Sequence, residues 1–523
     1  MRTVDMSLLS FFVFYDWLFL AVAFGVILYL RAARHRNYWR DQNVPHEKFS
    51  LFFGHQMKQL FKPIQDVDQE LCNKYGRLFG SFEDGKPVLY VAEPDLLKLI
   101  LVKDAGLTQR KFAQFDDPVL ANLLVNVEYD QWRKLRSATS PAFTSGKLRK
   151  MQDIISSCAT VASERLKKAA AASEDVDMKG FYGHFALDAV ASCSFGAKLS
   201  PNSPEEESFI RSARNAFFAE VTPSVMLSAF LQKLGDTFRK RVFNVKAFEF
   251  YKNATVDIIK KREASKIRHE DFLQMMMNAK EVAKQNAASE DKDISGSEFE
   301  GSAQKPQDVK NLTEEEALAQ CVLFFLAGQD TASTTSSFAS YLLAINPHVQ
   351  EKLQAEVDDC FRKHGSSPSY DEISKLSYLD CVVKETLRIM TPSPRIDREF
   401  HQDYVLGETG IKLSKDCTIM IPIQSIHNDP EFFPEPEVFN PDRFNEENIS
   451  SIRPYTFLPF GAGPRNCVGS RFALQLVKTC LLHAVHNVQF VKCSKTKVPL
   501  EYLPGYGILQ AKDLVIGIRE RSS

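Results

Sequence analysis

One cysteine sits where it could bind a metal. It ends the string Phe460-Gly461-Ala462-Gly463-Pro464-Arg465-Asn466-Cys467, followed by Val468-Gly469 and the helix-forming stretch 470–484. Glycines let a backbone fold back tightly and come close to a large flat object. At a helix start, free N–H groups and the positive dipole end favour a thiolate. A thiolate held in such a loop suits an axial ligand of haem iron, where it pushes electron density toward O–O cleavage. A cysteine before a helix is, taken alone, more often a buried structural thiol. The full F-G-x-G-x-R-x-C-x-G string is what points to ligation. The other cysteines show no C-x-x-C pair and no short-period framework, which argues against a zinc ribbon or a disulfide scaffold.

Other elements must hold this loop. Thr313 and Glu316 read as a capping box, and the largely apolar run behind them continues past Gly328 to about Ile345. A helix of that length would traverse a whole domain. Gly328 in mid-helix costs about 1 kcal/mol relative to Ala, so it asks for a reason. Residues 77–92, with Asp84-Gly85, alternate like a β-hairpin. Residues 147–172 and 238–261 have helical period, and 418–422 and 514–518 look like strands. Residues 283–310, rich in Ser, Lys, Glu, Gly and Gln, read as a solvated insertion. The fold class expected is mostly α with small β-sheets at one side.

The chain has 523 residues, 44% hydrophobic and 25% charged, with 65 Lys+Arg against 66 Asp+Glu. That balance excludes a disordered chain, a collagen-like fibre and a generic polyanion binder, and no nucleic-acid partner is expected. Residues 7–30 are almost continuously apolar, and Arg31, Arg34, Arg36 and Arg40 follow them. This reads as one N-terminal transmembrane signal-anchor that leaves the rest of the chain cytosolic. A signal peptide cut after Ala21-Val22-Ala23 is the alternative, and it would leave an apolar stub. With the cytosolic orientation, the N-x-S/T sequences at Asn253, Asn311 and Asn448 would never reach the glycosylating side. Residues 31–50 then form a basic, proline-punctuated linker, and 51–523 form the catalytic domain.

Several separated strings match one family. Ala327-Gly328-Gln329-Asp330-Thr331, Glu385-Thr386-Leu387-Arg388, Pro441-Asp442-Arg443-Phe444 and Trp132-Arg133-Lys134-Leu135-Arg136 agree in order and spacing with the cysteine loop. From about residue 45 to its end the chain resembles a cytochrome P450 of the membrane-anchored microsomal animal type. The wording of Ser140–Leu148 and of the segment after Cys467 is similar to insect detoxification and vertebrate drug-metabolising members.

The resemblance implies a haem-thiolate monooxygenase with haem b (iron protoporphyrin IX) on Cys467. It implies that Asp330 and Thr331 relay protons to dioxygen, a task that needs a carboxyl within hydrogen-bond reach. Position 332 is Ala where many relatives carry Thr or Ser. By family position, Arg110, Trp132, Arg136, Arg398 and Arg465 face the haem propionates. Glu385, Arg388 and Arg443 form a structural triad. Pocket-lining segments are expected at 112–123, 217–227, 324–327, 391–396 and 507–509. No G-x-G-x-x-G fingerprint follows a strand, so electrons must come from outside. The resemblance implies NADPH-cytochrome P450 reductase, with cytochrome b5 a second candidate, at an endoplasmic reticulum membrane. Arg133, Lys134, Lys147, Arg149 and Lys150 offer a basic face for such a partner. The substrate is a lipophilic small molecule, xenobiotic or endogenous. Two alternatives remain: an isomerase or dehydratase of the same fold acting on a peroxide, whose members commonly lack the acid–alcohol pair, and a non-catalytic haem-binding protein.

Overall fold

In the computed structural model the described residues are 33–49, 56–59, 61–83, 85–110, 117–197, 203–219, 245–265, 271–279, 312–415 and 417–521, with a few between 19 and 30. The insertion 283–310, the turn residue Asp84, segments 112–116 and 220–227 of the expected pocket, and most of 7–30 lie outside them. Among the described residues, no helix is long and apolar enough to cross a membrane.

The principal helices are α1 (Ile64–Tyr75), α2 (Tyr129–Thr139), α3 (Ser145–Ala171), α4 (Met178–Phe195), α5 (Pro204–Phe217), α6 (Val245–Ser265), α7 (Glu314–Ile345), α8 (Pro347–His364), α9 (Ser377–Ile389) and α10 (Ser470–Asn487). The strands of the two principal sheets are β1 (Leu78–Glu83), β2 (Lys86–Val91), β3 (Thr108–Gln109), β4 (Asp175–Asp177), β5 (Ile396–Phe400), β6 (Thr418–Ile421), β7 (Val488–Val491) and β8 (Val515–Glu520). The larger sheet has the order β1-β2-β6-β5-β3, and the smaller β7-β8-β4. Within these two sheets the β2–β6 pairing is parallel and the others antiparallel; β1 and β2 form the expected hairpin, with Glu83 opposite Lys86.

Helix α7 starts as its residues dictate. The Glu316 N–H donates to Thr313 Oγ1 at 3.1 Å, and the Thr313 N–H donates to Glu316 Oε2 at 2.9 Å. Its middle is buried nearly all round, against α4, α6 and α10. Gly328 faces α4, where an added Cβ would stand 3.1 Å from Val190 Cγ2. The glycine is thus explained by helix–helix approach, and the helix is unbroken through it.

Beneath the cysteine loop lies the expected triad. Arg388 and Glu385 have no exposed surface; Arg388 Nε and Nη2 donate to the Glu385 carboxylate at 2.7 and 2.8 Å. Arg388 Nη1 donates to the His427 carbonyl at 2.9 Å, and Arg443 Nε reaches Glu385 Oε1 at 3.3 Å. Removing one member of a buried pair costs about 3–5 kcal/mol, so this cluster fixes α9 against the chain around His427, Pro436 and Asn440.

Part of the segment read as linker is docked on the larger sheet. Trp39 is fully buried, its indole N–H donates to the Ser81 carbonyl at 2.8 Å, and its ring occupies the space where Gly80 would carry a Cβ.

Two buried imidazoles make stability depend on pH. Burial and the Arg388 guanidinium hold His427 down to about 3, and burial followed by His486 holds His483 down to about 4. An unfolded chain protonates both near 6.5, so stability present above that value is lost as pH falls through the window. Asp188, raised to about 6 by burial and then Glu206, opposes this trend below about pH 6. Denaturant midpoints are expected to fall between about pH 7 and about pH 5. His483→Leu should fall less steeply; a variant with an unchanged pH slope would contradict this assignment.

Candidate active site

The cysteine loop closes on itself. The Cys467 N–H donates to the Phe460 carbonyl at 2.9 Å and the Asn466 N–H to the Gly463 carbonyl at 3.1 Å. Gly461 and Gly463 have φ of 69° and 71°, the left-handed region that favours glycine. A Cβ on Gly463 would fall 1.8 Å from the Leu101 carbonyl oxygen, in the π-helical turn Leu99–Lys103. The loop therefore sits closer to its neighbour than any other residue type allows. Helix α10 begins at Ser470 with no side chain capping it. Its first N–H groups face the loop, and the Gly469 N–H bonds the Cys467 sulfur.

Cys467 exposes surface, yet burial is the strongest influence on its thiol, so that surface opens onto space ringed by protein. Burial pushes the thiol up, while the Gly469 N–H and the Arg136 and Arg110 guanidiniums pull it down. The helix start alone does not make a thiolate here. A metal cation on the sulfur would, because a coordinated thiol is deprotonated outright.

Arg136 on α2 grips the loop from the side. Its Nη1 donates to the Asn466 carbonyl and its Nη2 to Asn466 Oδ1, both at 2.7 Å. Arg110, Arg398 and Arg465 form a separate cluster. Arg398 is 2% and Arg465 8% exposed. Burial first, and then Arg110, lowers Arg398 to about 9 and Arg465 to about 10. Asp397 is the carboxylate recorded beside them, 3.8 Å from Arg110 Nη2. Arg465 Nε and Nη2 and Arg110 Nε are buried without a partner, at about 1–3 kcal/mol each for such groups. The Arg465 guanidinium lies over the rings of Trp132 (4.6 Å) and Tyr129 (5.8 Å).

Three neighbouring guanidiniums, with Asp397 the carboxylate beside two of them among the described residues and with orphaned donors, fit a dianion. A buried thiol nearby fits a metal cation. Haem supplies both in one molecule, as iron and two propionates, and the residues present therefore fit it.

Asp330 is 3% exposed and Thr331 half-buried, one after the other on α7. The Thr331 hydroxyl donates to the Ala327 carbonyl at 2.7 Å. Helix α7 stays continuous through this turn. Asp330 Oδ1 accepts from Lys179 Nζ at 2.6 Å, while its Oδ2 is buried without a partner. Sequence reasoning missed Lys179, since a lone Lys at the start of α4 carries no motif. The hydroxyls of Ser333 and Thr334 give no signal either, since each can donate to the Asp330 carbonyl within its own helix.

In the expected pocket segments, Phe324 and Phe325 serve as core. Phe324 packs on Phe143, Phe272 and Phe472, and Phe325 stacks on Phe195 and Phe209. Ala327 and Thr331, the next residues along this side of α7, keep part of their surface open.

Gly463→Ala is expected to cost at least about 1–3 kcal/mol from backbone conformation alone, with added displacement of Leu101. Haem retention should fall with it. Gly146→Ala, which has nothing within 4 Å of its Cβ, serves as the control and should retain haem fully. Equal retention in both variants would contradict the close-approach argument.

Comparison with known proteins gives a consistent result. A family model described as Cytochrome P450 matches residues 44–516. Cytochrome P450 3A41 of Mus musculus is 33% identical over 517 residues, covering 98% of this chain and 97% of that protein. Cytochrome P450 3A2 of Rattus norvegicus is 33% identical over 525 residues, covering 99% of each. Cytochrome P450 3A56 of Fundulus heteroclitus is 33% identical over 489 residues, covering 92% of this chain and 93% of that protein.

Proposed function

Because the chain belongs to the cytochrome P450 family, we propose that it inserts one atom of O2 into a lipophilic organic substrate, xenobiotic or endogenous, with electrons from NADPH passed on by a reductase. Membership implies haem as its cofactor and monooxygenation as its reaction class. The observation that carries the finer reading is the joint geometry of Cys467, the unbalanced guanidinium cluster and the buried acid of α7.

When bound, haem supplies the oxygen-activating redox chemistry that no side chain of this protein can. The residues do the rest. Cys467 would hold the iron through its sulfur, and the Phe460 carbonyl and Arg136 hold the peptide that carries it. Arg110, Arg398 and Arg465 would hold the propionates, which would pair the orphaned donors of Arg110 and Arg465, and Trp132 backs Arg465. Asp330 holds and releases a proton at Oδ2, the oxygen left free by Lys179. The Thr331 hydroxyl passes that proton on once it leaves the Ala327 carbonyl. An acid and an alcohol in sequence support oxygenation over peroxide rearrangement, which needs no proton delivery.

For electron transfer, Arg133 stands exposed on α2 between Trp132 and the loop-gripping Arg136. Two members of the same basic run are tied within the chain: Lys134 to Glu316 at 2.7 Å and Arg149 to Asp371 at 2.8 Å. The reductase face, with cytochrome b5 as a second user, is accordingly centred on Arg133. Residues 7–30 anchor the protein in the endoplasmic reticulum membrane, with 31–50 as linker and 51–523 as the cytosolic catalytic domain. Phe19, Val22, Val26, Tyr29 and Leu30, which are helical and exposed, support that reading.

The test is reductase-dependent NADPH oxidation by the full chain with lipophilic probes. Substrate-stimulated product formation is expected, and Asp330→Asn should lower it by roughly a hundredfold, in keeping with loss of general acid assistance. Product formation unaffected by Asp330→Asn, or none without an added peroxide, would contradict the proposal.

A further inference from the structure

At the start of α4, Lys179 reaches into α7. An ammonium has three N–H donors. Here they meet Asp330 Oδ1 at 2.6 Å, Ser333 Oγ at 2.9 Å and Thr334 Oγ1 at 2.6 Å, with the Asp330 carbonyl oxygen also near at 3.1 Å. The two hydroxyls are themselves oriented, since each donates to the Asp330 carbonyl, at 2.9 and 2.8 Å. The Lys179 side chain is 19% exposed and that of Asp330 3%. Tyr251 of α6 also lies near this carboxylate, and its phenol is raised far above its ordinary value by burial and then by Asp330. It stays neutral, and among the described residues Lys179 is the cation in contact with Asp330.

The consequence is an asymmetric carboxylate. Oδ1 is fixed by the ammonium, and Oδ2 is buried with no partner. A carboxylate free to rotate would present either oxygen, whereas this one presents a single oxygen in a single direction. We propose that Lys179 is a positioning residue for proton delivery: it locks the Asp330 rotamer through Oδ1 and so makes Oδ2 the sole proton-carrying oxygen. The inference rests on the monooxygenase reading above. In each turn Oδ2 takes up one proton from hydronium of the bulk solvent, leaving water, and passes it toward the reacting site, so the carboxylate ends as it began. Ser333 and Thr334 hold Lys179 in place and exchange no proton with the substrate.

A merely structural lysine and a positioning lysine differ in whether their effect depends on Asp330. The full-length, haem-loaded protein is assayed with a flavoprotein reductase, NADPH and an O-alkylated coumarin that fluoresces on dealkylation. Lys179→Met is expected to lower product by roughly ten- to a hundredfold, the scale of a misplaced reacting group, with NADPH electrons diverted to hydrogen peroxide. Lys179→Arg should recover most of the loss. In an Asp330→Asn background, Lys179→Met should change product less than about twofold, because the acid through which it acts is gone. That double variant also removes both charges together, which protects against misfolding from an unpaired buried carboxylate. Equal losses from Lys179→Met in both backgrounds, or no change in product in either, would overturn the proposal. Wild-type protein giving no reductase-dependent product would instead overturn the monooxygenase reading, and this inference with it.

Discussion

Charge imbalance around the cysteine loop is the constraint on which the rest depends. Arg110, Arg398 and Arg465 crowd into a buried region whose recorded carboxylate is Asp397, and donors of two of them have no acceptor. Beside them the Cys467 thiol is pushed up by burial even with guanidiniums near. Each arrangement is unfavourable by itself. Together they are complementary to a ligand with anionic edges and a metal centre, and the protein holds them in place at the expense of its own stability.

The scaffold is arranged to bear that strain. Gly463 meets the Leu101 carbonyl closely, which fixes the loop against the turn that leads to β3 and Arg110. The Glu385–Arg388 pair, fully buried, ties α9 to the chain around His427, Pro436 and Asn440. On the far side, α4 packs along α7 so closely that a Cβ at Gly328 would press on Val190 at 3.1 Å. The same contact brings Lys179 onto Asp330. One helix pairing therefore explains both a glycine and the orientation of an acid.

Much of this was legible in the residues. The capping box of α7, the hairpin of β1 and β2, the strand at 418–421 and the buried Glu385–Arg388 pair depend on neighbours near in sequence, and local patterns report such neighbours well. The guanidinium cluster was legible by family position, but the reason it clusters was not, since burial and orphaned donors are three-dimensional facts. Lys179 was illegible because its partners lie about 150 residues away, beyond any local period. Phe324 and Phe325 show the same limit from the other side: a phenylalanine beside an active site and one in a core look alike until their neighbours are known. Trp39 does too, its burial depending on the absent side chain of Gly80.

The most direct test of the central claim is the absorption spectrum of the reduced, CO-bound protein after loading with haem. The account predicts the red-shifted band of thiolate ligation in the wild type, and its replacement by the imidazole-type band in Cys467→His. A wild-type protein that takes up haem yet shows the imidazole-type band, or that binds no haem although Arg110, Arg398 and Arg465 are intact, would contradict it.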